Sequence, residues 1–329
     1  MAIKNNQKIT VSEIGAGKRL DTWLSQRFPS FSRNFWVKLI KNGAIEIIRN
    51  DIPAGKVRRS RILLENDIIS INTCMIRGHE PEHDFTGIIK VLYEDDNLLA
   101  VRKPAGLLTH PAGLFGAGSL IDIIEEEYGS LYICGRLDRF TSGIIVLAKQ
   151  KSGPALFDNG VEKHLISKEY LALVKGIPSP PSGTIREPID HDQSSEILLK
   201  MTVSKSGKAA VTTYKTLRTE NYEILGTKNY YSLLSCSIEA GKKHQIRVHL
   251  SHIGYPIFKD KLYDQKIDYD YFTPRRGNLH SYWPSWHGLH CYKITIPSAV
   301  FATKTDLVIK CEPFGEMVHK LDELNLFIK

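Results

Sequence analysis

The chain has 329 residues, 42% of them hydrophobic and 24% charged, with a formal net charge of +8 and a pI of about 9.1. That suits one large domain with a small one, or two medium domains, with ample side chain for a core. No apolar run approaches the roughly 18 residues of a membrane span, and the first eleven residues carry no apolar region of the signal-peptide kind. The five cysteines are widely spaced and lack a C-x-x-C, which argues against a disulfide framework or zinc ribbon and fits a reducing cytoplasm.

Residues 1–16 read as a polar arm. From Gly17 to Arg61, eleven Lys/Arg face three acids, so the excess charge sits in one short segment and the rest is near neutral. A solvated surface is the plain explanation; a compact, local imbalance points rather to a polyanionic partner. Within residues 17–73, RLDTWLSQRF places Leu20, Trp23, Leu24 and Phe28 at helical spacing, stopped by Pro29-Ser30. SRNFWVKLIKNG repeats the pattern with Phe35, Leu39 and Ile40 on one face, Ser32 as N-cap and Gly43 at the end. A hairpin turning at Asn50-Asp51 and a strand in RILLENDIISINT follow, giving two helices and a small sheet.

Residues 74–86 are polar and read as a linker to a unit over 87–329. That unit opens with strands Ile88–Tyr93 and Leu98–Val101 about an acidic turn. A helix capped by Ser119, a buried strand in SGIIVLAK and a helix in GPALFDNGVEKHLI come next. SKEYLALVKG alternates as a strand, PSPPSG as a surface turn, AAVTTYKTLR and YYSLLSCSIEA as strands, and KKHQIRVHLSHIG as a helix ended by Gly254. Tyr263 to His287 reads as a long aromatic and basic loop. LHCYKITI and TDLVIKCE close the chain as a strand pair before a short helix.

The stretch GRLDRFTSGIIVLAK, Gly135 to Lys149, places Asp138 between two arginines on a loop ahead of a buried strand. A carboxylate there is well placed as a nucleophile or base, and flanking guanidiniums would keep it ionised. On these residues alone, a structural ion pair beside a turn explains the pattern at least as well.

With its neighbours, this stretch resembles the RluA-type pseudouridine synthases, whose signature is H-R-L-D-x-x-T-S-G-L-L-L-x-A-K. The resemblance continues in order through YEDDNLLAVRKPAGLLTHPA, SKEYLALVKG, GKAAVTTY, AGKKHQIRVHLSHIGYPIFKDKLY and GLHCYKITI, over roughly residues 87 to 297. The segment 17–73 is similar to an S4 RNA-binding domain through Arg19-Leu20-Asp21, Ser32-Arg33 and Ile40 to Gly43. The resemblance implies an α+β or α/β catalytic domain on a mixed, mainly antiparallel sheet, acting as an isomerase on structured RNA. Ribosomal RNA of the large subunit is the expected substrate; tRNA, or a non-catalytic ribosome-assembly role, are the alternatives. It also implies Asp138 as the catalytic carboxylate, Arg247 as its partner, and Tyr170 against the flipped base, accepting the C2′ proton. Arg136 would fill the vacated stack, and Arg19, Ser32, Arg33, Lys38, Lys41, Lys56, Arg58, Arg59 and Lys103 would contact RNA. No cofactor, metal or membrane is expected, and the protein is expected to be a cytoplasmic monomer.

Four positions depart from the family pattern. Gly135 stands where His is usual, Phe140 where a small or acidic residue is common, Arg102 where Asn is usual, and the hairpin has RND instead of an N-G turn. A glycosidase would need a second carboxylate, and Asp138 has only Arg136, Arg139 and Thr141 as neighbours. His244, His249 and His252 lie on one predicted helix without a trusted metal-site spacing, and GAGK at residues 15–18 lacks the rest of a Walker motif.

Overall fold

The computed structural model describes residues 6–27, 33–72, 85, 87–111, 119–195, 200–224, 227–239, 241–260, 262–264, 286–301 and 303–327. Two compact units divide the chain: residues 1–84 with 110–123, and residues 85–109 with 124–329.

The first unit carries α1 (Leu20–Arg27), α2 (Arg33–Lys41) and strands β1 (Asn6–Thr10), β2 (Ile45–Arg49), β3 (Ile52–Pro53) and β4 (Ile68–Asn72). The sheet runs β1-β4-β2-β3 with every pair antiparallel. Ile45 faces Ile71 and Ile47 faces Ile69. These four pack with Leu20, Trp23, Leu24, Trp36, Leu39 and Ile40 of the two helices in one core. Asn50 and Asp51 both have positive φ (51° and 63°), so the hairpin turns where expected, through residues that tolerate the left-handed region. Ser32, the expected N-cap, lies outside the described residues, as do Phe28 and Pro29-Ser30.

The polar arm is corrected: its Asn6–Thr10 portion is the edge strand β1, paired with β4 along its whole length. An edge strand half open to water needs few apolar residues, so its sequence reads as a tail. Across the helices, buried Asp21 receives Arg33 Nη2 at 2.8 Å and Arg19 Nη2 at 3.1 Å. Burial alone would raise its pKa, but the two guanidiniums outweigh it and hold the carboxyl at about 2.

The second unit is built on a sheet ordered β10-β13-β14-β9-β15-β8-β6-β5, with β16 on β15 and β7 on β8. Its strands are β5 (Lys90–Glu94), β6 (Leu98–Lys103), β7 (Tyr132–Cys134), β8 (Ser142–Ala148), β9 (Ser167–Lys175), β10 (Ser182–Ile185), β13 (Thr212–Ile224), β14 (Thr227–Ile238), β15 (Leu289–Ile296) and β16 (Leu307–Lys310). A separate ribbon pairs β11 (Ile189–His191) with β12 (Met201–Val203). The helices are α3 (Leu120–Tyr128), whose residues 124–128 belong to this unit, then α4 (Gly153–Glu162), α5 (Gln245–His252), α6 (Ser298–Phe301) and α7 (Glu316–Glu323).

Among the described residues, only β15 and β8 pair in parallel. The unit is therefore α+β, not α/β: its sheet is mixed and mainly antiparallel, without the repeated crossovers an α/β sheet requires. All seven residues of β8 are buried, which explains their unbroken apolar run. Along β9, Tyr170, Ala172 and Val174 enter one core, while Leu171 and Leu173 enter another with Met317 and Leu321 of α7. Both faces of the central sheet are thus covered.

Gly143 sits at the parallel junction, opposite Cys291. Its φ is +115°, and a Cβ there would lie 2.3 Å from the Cys291 carbonyl oxygen. Backbone cannot yield as a flexible side chain does. Gly143→Ala should cost more than about 2 kcal/mol in urea unfolding. Asp21→Asn should lower stability at pH 7 by about 2 kcal/mol. Because the native carboxyl is held below its unfolded value, that difference should be complete above pH 4 and vanish as pH falls through about 2, as read by melting curves of both proteins.

Candidate active site

The loop of residues 135–141 leaves β7 and enters β8, and it carries Asp138 to the mouth of the sheet. Backbone and buried side chains fix its path. The Thr141 N–H donates to the Asp138 carbonyl at 3.1 Å, and the Gly106 N–H and Arg139 carbonyl bond at 2.9 Å. Arg139 Nε returns a 2.9 Å bond to the Gly106 carbonyl, and Thr109 Oγ1 donates to the Leu137 carbonyl at 3.0 Å.

Lys103, expected to touch RNA, is corrected by its burial: it is 0% exposed. Its ammonium donates to the carbonyls of Pro104 (2.8 Å), Leu107 (2.7 Å) and Arg139 (3.0 Å). These acceptors satisfy all three donors, so the charge ties β6 to the Asp138 loop beneath the surface. Burial pushes its pKa down to about 7, with Asp138 opposing.

Helix α5 brings in Arg247, 8% exposed. Nη1 donates to Asp138 Oδ2 at 2.8 Å. Nε and Nη2 grip Asp260 at 2.6 and 2.9 Å. The guanidinium also lies 5.0 Å from the centre of the Tyr263 ring. Burial alone would weaken the Arg247 charge, but Asp260 and Asp138 outweigh it and raise the pKa. Asp260 is likewise pushed up by burial and pulled far below the usual carboxylate range by Arg247.

His244 precedes α5, with Nε2 3.8 Å from Asp138 Oδ2. Burial, aided by Arg247 and Lys243, pushes its pKa down to about 4 against the pull of Asp138. Burial raises the Asp138 pKa, while His244 and Arg247 lower it further, to about 2. On acidification His244 therefore takes its proton first, and its charge then helps keep Asp138 ionised. His287 completes the layer: Nε2 is 3.0 Å from Thr141 Oγ1, and Nδ1 is 3.6 Å from Asp260 Oδ2.

Beside the loop, Cys134, Arg136, Leu137, Ile144, Tyr170 and Cys291 line a pocket. Arg136 is exposed, and Tyr170 is 6% exposed. Burial and the neighbouring Cys291 raise the Tyr170 pKa well above its ordinary value, so the phenol stays protonated at neutral pH. Lys168 occupies the space beside Gly135: a Cβ there would lie 3.0 Å from its ammonium, which sits 4.7 Å from the Phe157 ring centre. Arg102 donates to the Ile88 carbonyl at 2.9 Å and stacks 4.2 Å over Phe314.

The fold thus brings Asp138 and Arg247 together and places Tyr170 on the adjoining pocket wall. Asp260, Tyr263, His244 and His287 were not assigned to the site from sequence. The second carboxylate that a glycosidase would need is present in Asp260, but both its oxygens are held by Arg247 and it stays ionised. It cannot serve as a general acid. His249 is buried between Thr212 Oγ1 (2.8 Å) and the Glu187 carbonyl (2.9 Å). Among the described residues, no group of His, Cys, Asp or Glu is arranged to hold a metal ion.

In the first unit, Arg19 and Arg33 are tied to Asp21 with their side chains 42% and 54% exposed. Lys38, Lys41, Lys56, Arg58 and Arg59 are all exposed. Among the described residues no helix is long and apolar enough to cross a membrane. Most of the Tyr263–His287 loop lies outside the described residues.

Residues 97–252 match the RNA pseudouridylate synthase family. An uncharacterised RNA pseudouridine synthase of Aquifex aeolicus is 31% identical over 271 residues, covering 77% of this chain and 78% of the relative. Ribosomal large subunit pseudouridine synthase D of Xanthomonas campestris is 31% identical over 269 residues, covering 78% and 74%. Among solved structures, human RNA pseudouridylate synthase domain containing 4 is similar at 26% identity and a TM-score of 0.53, over 72% of this chain and 94% of that one. Motif order, sheet and relatives agree, and the chain belongs to the RNA pseudouridine synthase family of isomerases acting on RNA.

Proposed function

We propose that this enzyme converts uridines of large-subunit ribosomal RNA to pseudouridine, with Asp138 as the reacting carboxylate. The observation that carries the chemical assignment is the Asp138–Arg247 contact of 2.8 Å, with Asp138 following directly on Arg136 and Leu137, which line a pocket together with Tyr170. The substrate assignment draws on the printed names of relatives such as pseudouridine synthases D and C of the ribosomal large subunit.

The reaction breaks the N1–C1′ bond and forms a C5–C1′ bond; the C5 hydrogen leaves as a proton and N1 gains one. The target base must first leave its stack, at a cost of a few kcal/mol. Arg136 is exposed within the loop and takes the vacated place, as a planar cation that can stack and bond phosphate. Asp138 then acts at the sugar, by attack on C1′ or by assisting a glycal. Arg247 keeps it ionised and aimed. Tyr170 supplies the wall against which the base lies; its raised pKa makes it a poor proton acceptor in the resting site. Apolar Leu137 and Ile144 help exclude water, which would otherwise intercept the detached sugar.

Residues 17–73 serve as an S4-like RNA-binding domain, joined by residues 74–86 to a catalytic domain over 87–329. Lys38, Lys41, Lys56, Arg58 and Arg59 contact phosphates, with Arg19 and Arg33 framing the helix pair through Asp21. The enzyme works as a cytoplasmic monomer.

The decisive assay is tritium release from RNA labelled at uridine C5, with separate rRNA and tRNA pools. Wild type should release label from large-subunit rRNA, while Asp138→Asn should release none; it should still fold cooperatively but melt below wild type, because its neighbours hold the Asp138 carboxyl pKa at about 2. Release from tRNA alone would overturn the substrate assignment. Arg247→Lys keeps the charge but cannot hold both carboxylates; kcat should fall by about 10²-fold with KM little changed. RNA affinity should drop by about 10³-fold between 50 and 200 mM salt if six or more phosphates are neutralised. A flat salt response would remove phosphate binding from the basic segment.

A further inference from the structure

His244 has a left-handed backbone, φ 57° and ψ 17°, which a non-glycine residue seldom adopts without a reason. The conformation accompanies a ring placed beside Asp138, with the side chain 11% exposed. Nδ1 lies 2.7 Å from the Tyr263 hydroxyl. That hydroxyl already accepts the Met201 N–H at 3.0 Å, which leaves its own proton free to be donated to Nδ1. With Nδ1 accepting, the neutral ring carries its hydrogen on Nε2. Nε2 faces Asp138 Oδ2 at 3.8 Å, too far for a hydrogen bond. A donor on a ring that is 11% exposed is thus aimed into the site with its nearest carboxylate out of reach. Such donors normally have an acceptor.

The reaction creates one. When N1–C1′ breaks, the bonding pair stays on the base, and its charge spreads to the carbonyl oxygens of the pyrimidine. A fixed N–H donor holds that charged oxygen more strongly than the neutral carbonyl of bound uridine, and so lowers the barrier. Three of the five N–H donors of Arg247 are already held by carboxylates, which fixes its guanidinium on Asp138 and Asp260.

We propose that His244 is a catalytic residue whose Nε2–H donates a hydrogen bond to a uracil carbonyl oxygen and holds the detached base until C5 meets C1′. Tyr263 is the positioning residue that fixes the tautomer. No proton is transferred to or from His244; the C5 proton and the N1 proton exchange elsewhere. The inference rests on the assignment of Asp138 as the reacting carboxylate.

The test is single-turnover tritium release from a C5-labelled large-subunit rRNA transcript by wild type, His244→Phe, His244→Gln and Tyr263→Phe, with RNA affinity measured in parallel. His244→Phe should slow the chemical step by about 10²-fold with unchanged affinity. His244→Gln keeps an N–H donor and should stay within about tenfold of wild type, with Tyr263→Phe between the two. A Phe variant within about threefold of wild type, or Phe and Gln variants equally slow at wild-type melting temperature, overturns the proposal. If the variants melt low, nitrogen-15 spectra of the wild-type imidazoles at pH 7 decide: hydrogen on Nε2 of His244 supports it, and hydrogen on Nδ1 overturns it. Wild type inactive on every RNA would instead sink the Asp138 assignment beneath it.

Discussion

One guanidinium held between two carboxylates organises this active site. Arg247 satisfies Asp260 with two of its donors and Asp138 with a third. Burying three ionised groups is expensive, and the arrangement persists only because the donors and acceptors match in geometry. Asp260 fixes the plane of the guanidinium, leaving Nη1 a single direction in which to point. Two regions more than 100 residues apart in sequence must converge for this: the loop before β8, and helix α5 with Asp260 shortly after it. Each backbone device nearby, from the Lys103 ammonium to the left-handed His244, brings one of these segments into register.

The sheet explains why the site can hold its charges. β8 is buried along its whole length, and its start pairs with β15 at a junction that only glycine fits. Asp138 stands just outside that buried strand, with its side chain 27% exposed: open enough for substrate, and dry enough for its neighbours to act strongly. The order of protonation follows from the same environment. Burial keeps His244 neutral until about pH 4, and Arg247 keeps Asp138 charged well below that. At physiological pH the site therefore holds two ionised carboxylates, Asp138 and Asp260, around the Arg247 cation, with His244 neutral beside them.

Charge and chemistry are segregated along the chain. The local cationic excess belongs to the first unit, whose two helices are joined through buried Asp21. In the second unit Lys103 and Arg247 are buried and spent on carbonyls and carboxylates. Basic residues in one chain thus serve two separate ends, and sequence composition alone does not distinguish them. Lys103 shows the point: it reads as a contact for RNA, and its burial makes it a structural tie.

Local patterning by itself determined much of this protein. Helical spacing placed α1, α2, α4 and α5; short apolar runs placed β6, β8 and β15, and alternation placed β9; and the Asn50-Asp51 turn followed from residues that accept positive φ. Those features depend on neighbours within a few positions, so one sequence suffices to see them. The ordered motifs likewise pointed to Asp138, Tyr170 and Arg247. What only the tertiary structure decided depends on contacts across long separations. The edge strand β1 is defined by β4 and not by its own polar residues. The parallel β15–β8 pair, which leaves the sheet mixed without making the fold α/β, arises between segments nearly 150 residues apart. Asp260, Tyr263 and His287 carry no local signal of function, because an aspartate on a loop or a histidine after a long insertion looks like surface until the chain folds. Their roles exist in the distances to Arg247, His244 and Thr141, and those distances are set by packing, not by spacing along the chain.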